Sequence, residues 1–249
     1  MAINDVILTH SLTTKGNNSN ILVVGSCRTG KTNFFVKPNL FHIKDSVIII
    51  GRNDDHIDET IEYRKERLKQ NIFEMTIPDL KDNKNYEWTS YLLESPFNEK
   101  ERDLIIQYAQ TMLTDYLEKN SEDYPVTLII DDLDLFHFDK QFFLKMLKQG
   151  KSRGLRTIAT IQNINRLTRL YGREDVKTIL NKFEIKMFFR NNDPSDGEYL
   201  EPSIKIEEIM HLQSNECVVT GLKDKPIFKK DKIMHWFSYG KPYGKPGNY

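Results

Sequence analysis

Little in this sequence points to a secreted, membrane-spanning or metal-clustered protein. It has 2 cysteines, Cys27 and Cys217, in 249 residues. Two cannot build a disulfide framework. The 6 histidines, His10, His42, His56, His137, His211 and His235, share no metal-ligand spacing with each other or with the cysteines. No Ser-His-Asp pattern stands out. Uninterrupted apolar runs stop at about four residues, against the ~20 that cross a bilayer as a helix. The start, Met1-Ala2-Ile3-Asn4-Asp5, is not basic and then apolar, so no secretory leader is expected. An excess of one charge is also missing, since 36 Lys+Arg balance 36 Asp+Glu. A protein that coats nucleic acid by bulk charge is thereby excluded, although a local basic patch is not. These absences leave a cytoplasmic chain in a reducing compartment, which would meet a membrane only through a partner.

What is present is an alternation of apolar runs and helix-like stretches. The runs are Ile21–Val24, Val47–Ile50, Ile72–Ile77, Val126–Ile130, Thr157–Ile161, Ile185–Phe189 and Cys217–Thr220. Continuous rather than alternating apolarity predicts strands covered on both faces, as in a parallel sheet. Glu74 interrupts the third run. Between them, Asn98 to Lys119 reads as the longest helix, with Leu104, Ile105, Tyr108, Met112, Leu113 and Tyr116 at spacings of three and four. Phe142, Phe143, Met146 and Leu147 mark a second helix, and Ile164, Leu167, Leu170 and Tyr171 a third. The expected fold class is α/β, a mostly parallel central sheet flanked by helices, in a single domain over residues 1–236. Residues 237–249 carry Gly240, Pro242, Gly244, Pro246 and Gly247 among aromatics. They read as an extended arm, or as a peptide that docks on a neighbour.

The sharpest motif is Gly25-Ser26-Cys27-Arg28-Thr29-Gly30-Lys31-Thr32, which follows the run Ile21–Val24 and precedes a helix expected over 33–36. This is G-x-x-x-x-G-K-[ST] in its required setting of strand, loop and helix. A loop that wraps a triphosphate must turn its backbone N–H groups inward, which Gly25 and Gly30 permit. The helix adds unpaired N-terminal N–H groups and the positive end of its dipole. Lys31 supplies a point charge to the outer phosphates of ATP, and the Thr32 hydroxyl can ligate Mg²⁺. Cys27 reads as a small filler in this loop, or as a point of oxidative inhibition.

A phosphate loop needs a metal anchor and a water activator. The run Val126–Ile130 ends in Asp131-Asp132, at the sheet edge where open α/β folds bind ligands. Asp131 would hold the Mg²⁺ shell, and Asp132 would orient or deprotonate the attacking water. The bland reading is a solvated strand end with helix-capping acids, Asp134 among them. The next run, Thr157–Ile161, ends in Gln162. Beside the metal strand this amide can touch the γ-phosphate and report its loss, or it is an ordinary helix cap. Before that run, Arg153 or Arg156 could reach a nucleotide on an adjacent subunit, which implies a ring, in this class of enzyme usually a hexamer. A surface basic turn is the competing account.

These residues lie within a longer resemblance. The loop running into Phe34-Phe35-Val36-Lys37-Pro38-Asn39, then Arg153-Gly154, Ile161-Gln162-Asn163 with Arg166-Leu167, Tyr171-Gly172, Ile179-Leu180-Asn181-Lys182, Lys186-Met187-Phe188-Phe189 and Asn192-Asp193-Pro194 resemble the TraG-like coupling ATPases of type IV secretion and conjugation. The match runs roughly from Leu12 to Lys232, closing on Pro226 and Asp231-Lys232. It implies an ASCE-type motor with a RecA-like P-loop NTPase core, related to the FtsK and HerA translocases. Such motors hydrolyse ATP as hexamers and move DNA, or hand a relaxase–DNA complex to a membrane secretion channel. The chain departs from the family in three ways. Transmembrane helices are missing. The helical domain inserted before the magnesium strand is reduced to the helix near Asn98–Lys119. The family's Asp-Pro-Lys-Gly-Glu reads Gly51-Arg52-Asn53-Asp54-Asp55, and its Asp-Glu reads Asp131-Asp132.

The function expected is an ATP-hydrolysing motor that moves DNA for a mobile element. Lys145, Lys148, Lys151, Arg166, Arg169 and Arg173 would meet DNA phosphates without reading sequence. Two alternatives stand beside it: a viral genome-packaging ATPase of the same superfamily, and a nucleotide-binding adaptor that has lost turnover.

Overall fold

A computed structural model describes residues 20–51, 55–75, 89–94, 98–119, 125–202, 204–213, 216–221 and 230–232. Their centre is a 9-stranded sheet. In chain order the strands are β1 (Ile21–Val24), β2 (Ser46–Gly51), β3 (Asn71–Met75), β4 (Thr89–Glu94), β5 (Val126–Ile130), β6 (Leu155–Ile161), β7 (Ile185–Phe188), β8 (Glu216–Thr220) and β9 (Lys230–Lys232). Across the sheet they run β3-β4-β2-β5-β6-β1-β7-β8-β9. From β3 to β7 every pairing is parallel, and β8 and β9 close the far edge antiparallel. The mostly parallel sheet flanked by helices is as expected.

The unbroken apolarity of the inner strands has the predicted cause. Side chains alternate faces along a strand, and both faces are covered. Leu22, Val24, Ile48, Ile50, Leu128, Ile130, Ala159 and Ile161 face one core. That core is completed by α3 (Glu99–Lys119), α4 (Lys140–Gln149), α5 (Ile164–Tyr171), α6 (Arg173–Leu180) and α7 (Ile206–Met210). Ile21, Val23, Val47, Ile49, Ile129 and Ile158 face the other. There they meet Phe35 and Val36 of a π-helical stretch (Lys31–Val36), Leu40 of α1 (Lys37–His42) and Ile61 of α2 (Asp55–Glu66).

Local caps explain where helices start. Asp139 accepts the N–H of Phe142 at 2.8 Å, so α4 begins at Lys140. Asn163 accepts the N–H of Arg166 at 2.8 Å and opens α5. Asn98 Oδ1 accepts the N–H of Lys100 at the head of α3.

Several expectations need correcting. The third strand starts at Asn71, one residue before the expected Ile72, and is described to Met75; positions 76 and 77 of the expected run lie outside the described residues. In α3 the buried face includes Ile106 and Ala109, whereas Leu104 is 46% exposed. The helix expected over 33–36 is longer, a wide π turn from Lys31 followed directly by α1. The interval before β5 also holds more than α3. The charged helix α2 and strands β3 and β4 lie there too, and the polar start of β4, Thr89-Ser90, concealed it. The arm over 237–249 and the segment Arg52-Asn53-Asp54 lie outside the described residues. Among the described residues no helix is long and apolar enough to cross a membrane.

Candidate active site

The site forms at the C-terminal edge of the sheet, where β1, β5 and β6 deliver their polar ends. The loop Gly25–Thr32 leaves β1 anchored at both neighbours: Gly25 N–H donates to the Ile161 carbonyl of β6 and Ser26 N–H to the Arg190 carbonyl after β7, each at 3.1 Å. A Cβ on Gly25 would meet Phe189 Cβ at 2.7 Å and Thr29 Oγ1 at 2.8 Å, so only glycine fits beneath the loop. Gly30 turns the loop into the helix with φ 89°, a conformation natural to glycine. Lys31, 7% exposed, folds its ammonium back onto the loop, 2.8 Å from the Gly25 carbonyl and 3.4 Å from that of Ser26.

The order of strands decides how the acids reach this loop. Strand β6 lies between β1 and β5, so two inter-strand spacings, ~9–10 Å, separate the loop strand from the acidic strand. The gap is bridged by side chains. Asp131 Oδ2 accepts the Thr32 hydroxyl at 3.0 Å, and Asp131 Oδ1 accepts the Thr160 hydroxyl of β6 at 2.6 Å. The Thr160 oxygen in turn accepts the N–H of Asp132 at 2.8 Å. Desolvation holds the Asp131 carboxyl above the usual carboxylate range, and the hydrogen bonds from Thr160 and Thr32 oppose it. The bland reading of Asp131 as a solvated strand end fails on this geometry.

Asp132 takes a left-handed backbone, φ 59° and ψ 54°, which Asp tolerates better than most residues. It joins Cys27, Arg28, Gly30, Lys31, Thr32, Asn33 and Gln162 around one cleft of ≈ 220 Å³. The cap of α5 is Asn163, so Gln162 is not the helix cap, and Gln162 lines the cleft. Asp134, a suspected helix-capping acid, instead accepts the N–H of Gln162 at 3.3 Å and Arg166 Nη1 at 3.2 Å, and burial raises its pKa.

The Thr32 and Asp131 oxygens fit a hard divalent cation. Hydroxyl and carboxylate oxygens are the donor type such a cation takes, and here the two are joined by a 3.0 Å hydrogen bond. A lysine ammonium beside them suits a polyphosphate.

Other sequence-based candidates lie elsewhere. Arg156 is 3% exposed inside β6 and donates to Thr127 Oγ1 at 2.8 Å, with burial lowering its pKa to about 10. So enclosed, it cannot reach a neighbouring subunit. Arg153 is exposed, but it precedes β6 and so sits at the opposite sheet edge from the loop. Arg166, Arg173 and Lys151 pair with Asp134, Glu198 and Glu184. Lys145, Lys148 and Arg169 are exposed. The sequence reading missed Thr160, Asn33, Asn191 and Asp196 around this site. Only Thr160 carried a signal, as a hydroxyl inside the apolar strand Thr157–Ile161.

The family model described as the type IV secretion-system coupling protein DNA-binding domain matches residues 99–226. The one described as type IV secretory system conjugative DNA transfer matches residues 3–131. No curated protein sequence matches significantly. Among solved structures, the bacterial conjugative coupling protein TrwBdeltaN70 is similar at 11% identity and TM-score 0.72, over 90% of this chain and 86% of that one. Plasmid coupling protein TrwB in complex with ADP and Mg²⁺ is similar at 13% identity and TM-score 0.68, over 88% and 86%. Thermomonospora curvata EccC (ATPases 2 and 3) is similar at 10% identity and TM-score 0.54, over 87% of this chain and 37% of that one. At such identities the structures speak for the fold alone, a mostly parallel sheet flanked by helices. The family models each match just over half of the 249 residues, and with them the chain belongs to the type IV secretion-system coupling proteins.

Proposed function

We propose that this chain is an ATP-hydrolysing motor that translocates DNA for a conjugative or related mobile element, working as a homo-oligomeric ring. The observation that carries the reading is the contact of Thr32 with Asp131 at 3.0 Å, made across the intervening β6. It joins a phosphate loop to an acidic strand end, as metal-assisted phosphoryl transfer requires.

In this reading the loop amides and Lys31 hold the phosphates of ATP, with the Lys31 ammonium moving from the Gly25 and Ser26 carbonyls to the outer phosphates. Thr32 and Asp131 would hold Mg²⁺, which would supply electrostatic stabilisation of the charge that develops in phosphoryl transfer. Asp132 orients or deprotonates the attacking water, and Gln162 reads the γ-phosphate. Arg153, exposed on the far edge, is the group that a ring neighbour could offer as a finger. TrwB, solved with ADP and Mg²⁺, shares the fold that supports this assignment. DNA would be gripped by its phosphates, through exposed cations such as Lys145, Lys148 and Arg169. Partners are then sequence-independent DNA, further copies of the chain, and a relaxase or membrane secretion-channel protein. The last would bring a cytoplasmic motor to the membrane.

The test is ATP hydrolysis by the purified chain, with and without DNA, beside Lys31→Ala and Asp132→Asn, with size analysis in the same buffer. Turnover should require Mg²⁺, rise with DNA, vanish in Lys31→Ala and fall sharply in Asp132→Asn. Nucleotide binding without turnover on any DNA, even in assembled rings, would replace the motor with a nucleotide-gated adaptor.

A further inference from the structure

The turn that carries Gln162 is clamped from two sides by buried carboxylates outside the metal-holding pair. Asp134 holds it from the β5 side, as described. From the β7 side comes Asp196, 1% exposed, in the 3₁₀ turn Pro194–Tyr199. Its Oδ1 accepts the N–H of Ile164 at 3.0 Å and of Asn165 at 3.1 Å. Its Oδ2 accepts the N–H of Ile164 at 2.9 Å and Nδ2 of Asn191 at 2.5 Å. Asn191 is itself 1% exposed. Its Oδ1 accepts the Ser26 hydroxyl of the phosphate loop at 3.4 Å and the N–H of Asp193 at 3.2 Å. The Ser26 oxygen accepts the N–H of Asn192 at 3.2 Å. An unbroken hydrogen-bonded path therefore runs from Ser26 through Asn191 and Asp196 to the first amides of α5, directly behind Gln162.

A helix cap alone does not account for this arrangement. Helix α5 already has its cap in Asn163, which serves Arg166. Burying a carboxylate carries a desolvation cost that a neutral cap avoids. A carboxyl group offers acceptors on both oxygens for the Ile164, Asn165 and Asn191 donors together, whereas an asparagine side chain has one acceptor oxygen.

We propose that Asp196 is a positioning residue that couples the seating of the phosphate loop, through Asn191 and Ser26, to the placement of Gln162 against the γ-phosphate. The proposal rests on the ATP-site reading above. The arm that ends on Gln162 bears on the γ-phosphate, so its loss weakens triphosphate binding more than diphosphate binding. A merely structural role would weaken both alike.

The experiment measures affinities of the full chain for ADP and for a non-hydrolysable ATP analogue, with Mg²⁺, in the wild type, Asp196→Asn, Asn191→Ala, Gln162→Ala and the Asp196→Asn/Gln162→Ala double variant. Asp196→Asn should cut the triphosphate-over-diphosphate preference by about 5-fold or more and leave ADP affinity near wild type. Asn191→Ala should do the same from the other link. The double variant should lose no more than the worse single variant, because both act on one contact. The coupling is overturned if Asp196→Asn keeps the wild-type preference, or if its effect adds to that of Gln162→Ala. Should Asp196→Asn not fold, Asn191→Ala decides: an unchanged preference in that variant overturns the proposal. A wild-type chain that binds neither nucleotide would sink the ATP-site reading, an outcome distinct from an intact preference that survives both variants.

Discussion

The two edges of the central sheet each bury a polar network, and the networks differ in what they hold. At the N-terminal edge Arg64 is 0% exposed. Its guanidinium donates to the carbonyls of Leu40 and Ile43 at 2.7 Å, to the Asp45 carbonyl, and to Gln70 Oε1 at 3.0 Å. Farther along the same edge, before β1, Asn20 donates to the Leu147 and Lys182 carbonyls and accepts the N–H of Thr157. Most of these partners are main-chain groups, so the network locks α1 and the strand starts together. At the C-terminal edge the partners are side-chain oxygens facing one another across three elements: Thr32, Asp131 and Thr160. Main-chain acceptors fix a fold. Converging side-chain acceptors make a place where a cation and a phosphate can enter. Burial of a charged residue is therefore not by itself a functional signal; the nature of its partners separates the two edges.

The contrast can be tested by damaging one edge at a time. Lys31→Ala should lower ATP turnover by ~10³-fold, the order of losing one preorganised charge-stabilising donor, while the melting temperature stays near wild type. Arg64→Met should do the reverse. Left with buried unpaired carbonyls, the chain should lose roughly 3 kcal/mol, about 6–12 °C in Tm, yet keep its turnover per folded molecule at low temperature. If Arg64→Met instead spared stability and removed turnover, the division between edges would be wrong. Arg64 remains protonated at neutral pH, since burial lowers its pKa only to about 10, so its effect should not vary between pH 6 and 8.

A smaller effect probes the buried acids of the site. Burial raises the Asp196 carboxyl to about 6, against the hydrogen bonds from Ile164, Asn165 and Asn191 that favour its ionised form. The folded state then keeps a proton that an unfolded Asp, near ~3.9, has released. Stability must therefore fall as pH rises from about 4 to about 6, by roughly 2 kcal/mol relative to Asp196→Asn. Thermal melts of both proteins across that range check the sign. A difference that grows in the wild type's favour as pH rises would mean the carboxyl is not raised. The smallest effect concerns the exposed cations of α4. Replacing Lys145 and Lys148 together with alanine should flatten the salt dependence of duplex DNA binding by about 1.8 in log–log slope, with intrinsic ATP affinity unchanged.

The strands and the phosphate loop were legible because their signals are local. Five of the seven apolar runs lie entirely within observed strands; the run beginning at Ile185 ends one residue short, at Phe188, and positions 76 and 77 of the run beginning at Ile72 lie outside the described residues. Strand β4 was not legible because Thr89 and Ser90 are polar yet buried, with Ser90 Oγ donating to Gln70 Oε1 at 2.8 Å. Arg156 misled for the same reason: a sequence shows that a residue is charged, not which way its strand turns it. Gln162 and Asn163 are adjacent polar residues that composition cannot rank. Only the observed bond from Arg166 N–H to Asn163 assigns the cap to one and leaves the other to the cleft.

By itself, then, the sequence determined the α/β pattern, the loop Gly25–Thr32 and the acids that end β5, since each depends on neighbours within a few positions. The tertiary structure alone decided that β6 separates loop and acids, that Thr160 bridges them, and that Asn191 and Asp196 stand behind Gln162. Apart from the Asn191–Asp196 bond, those contacts join residues 28 to 165 positions apart, and their partners are set by strand order, which no local pattern encodes.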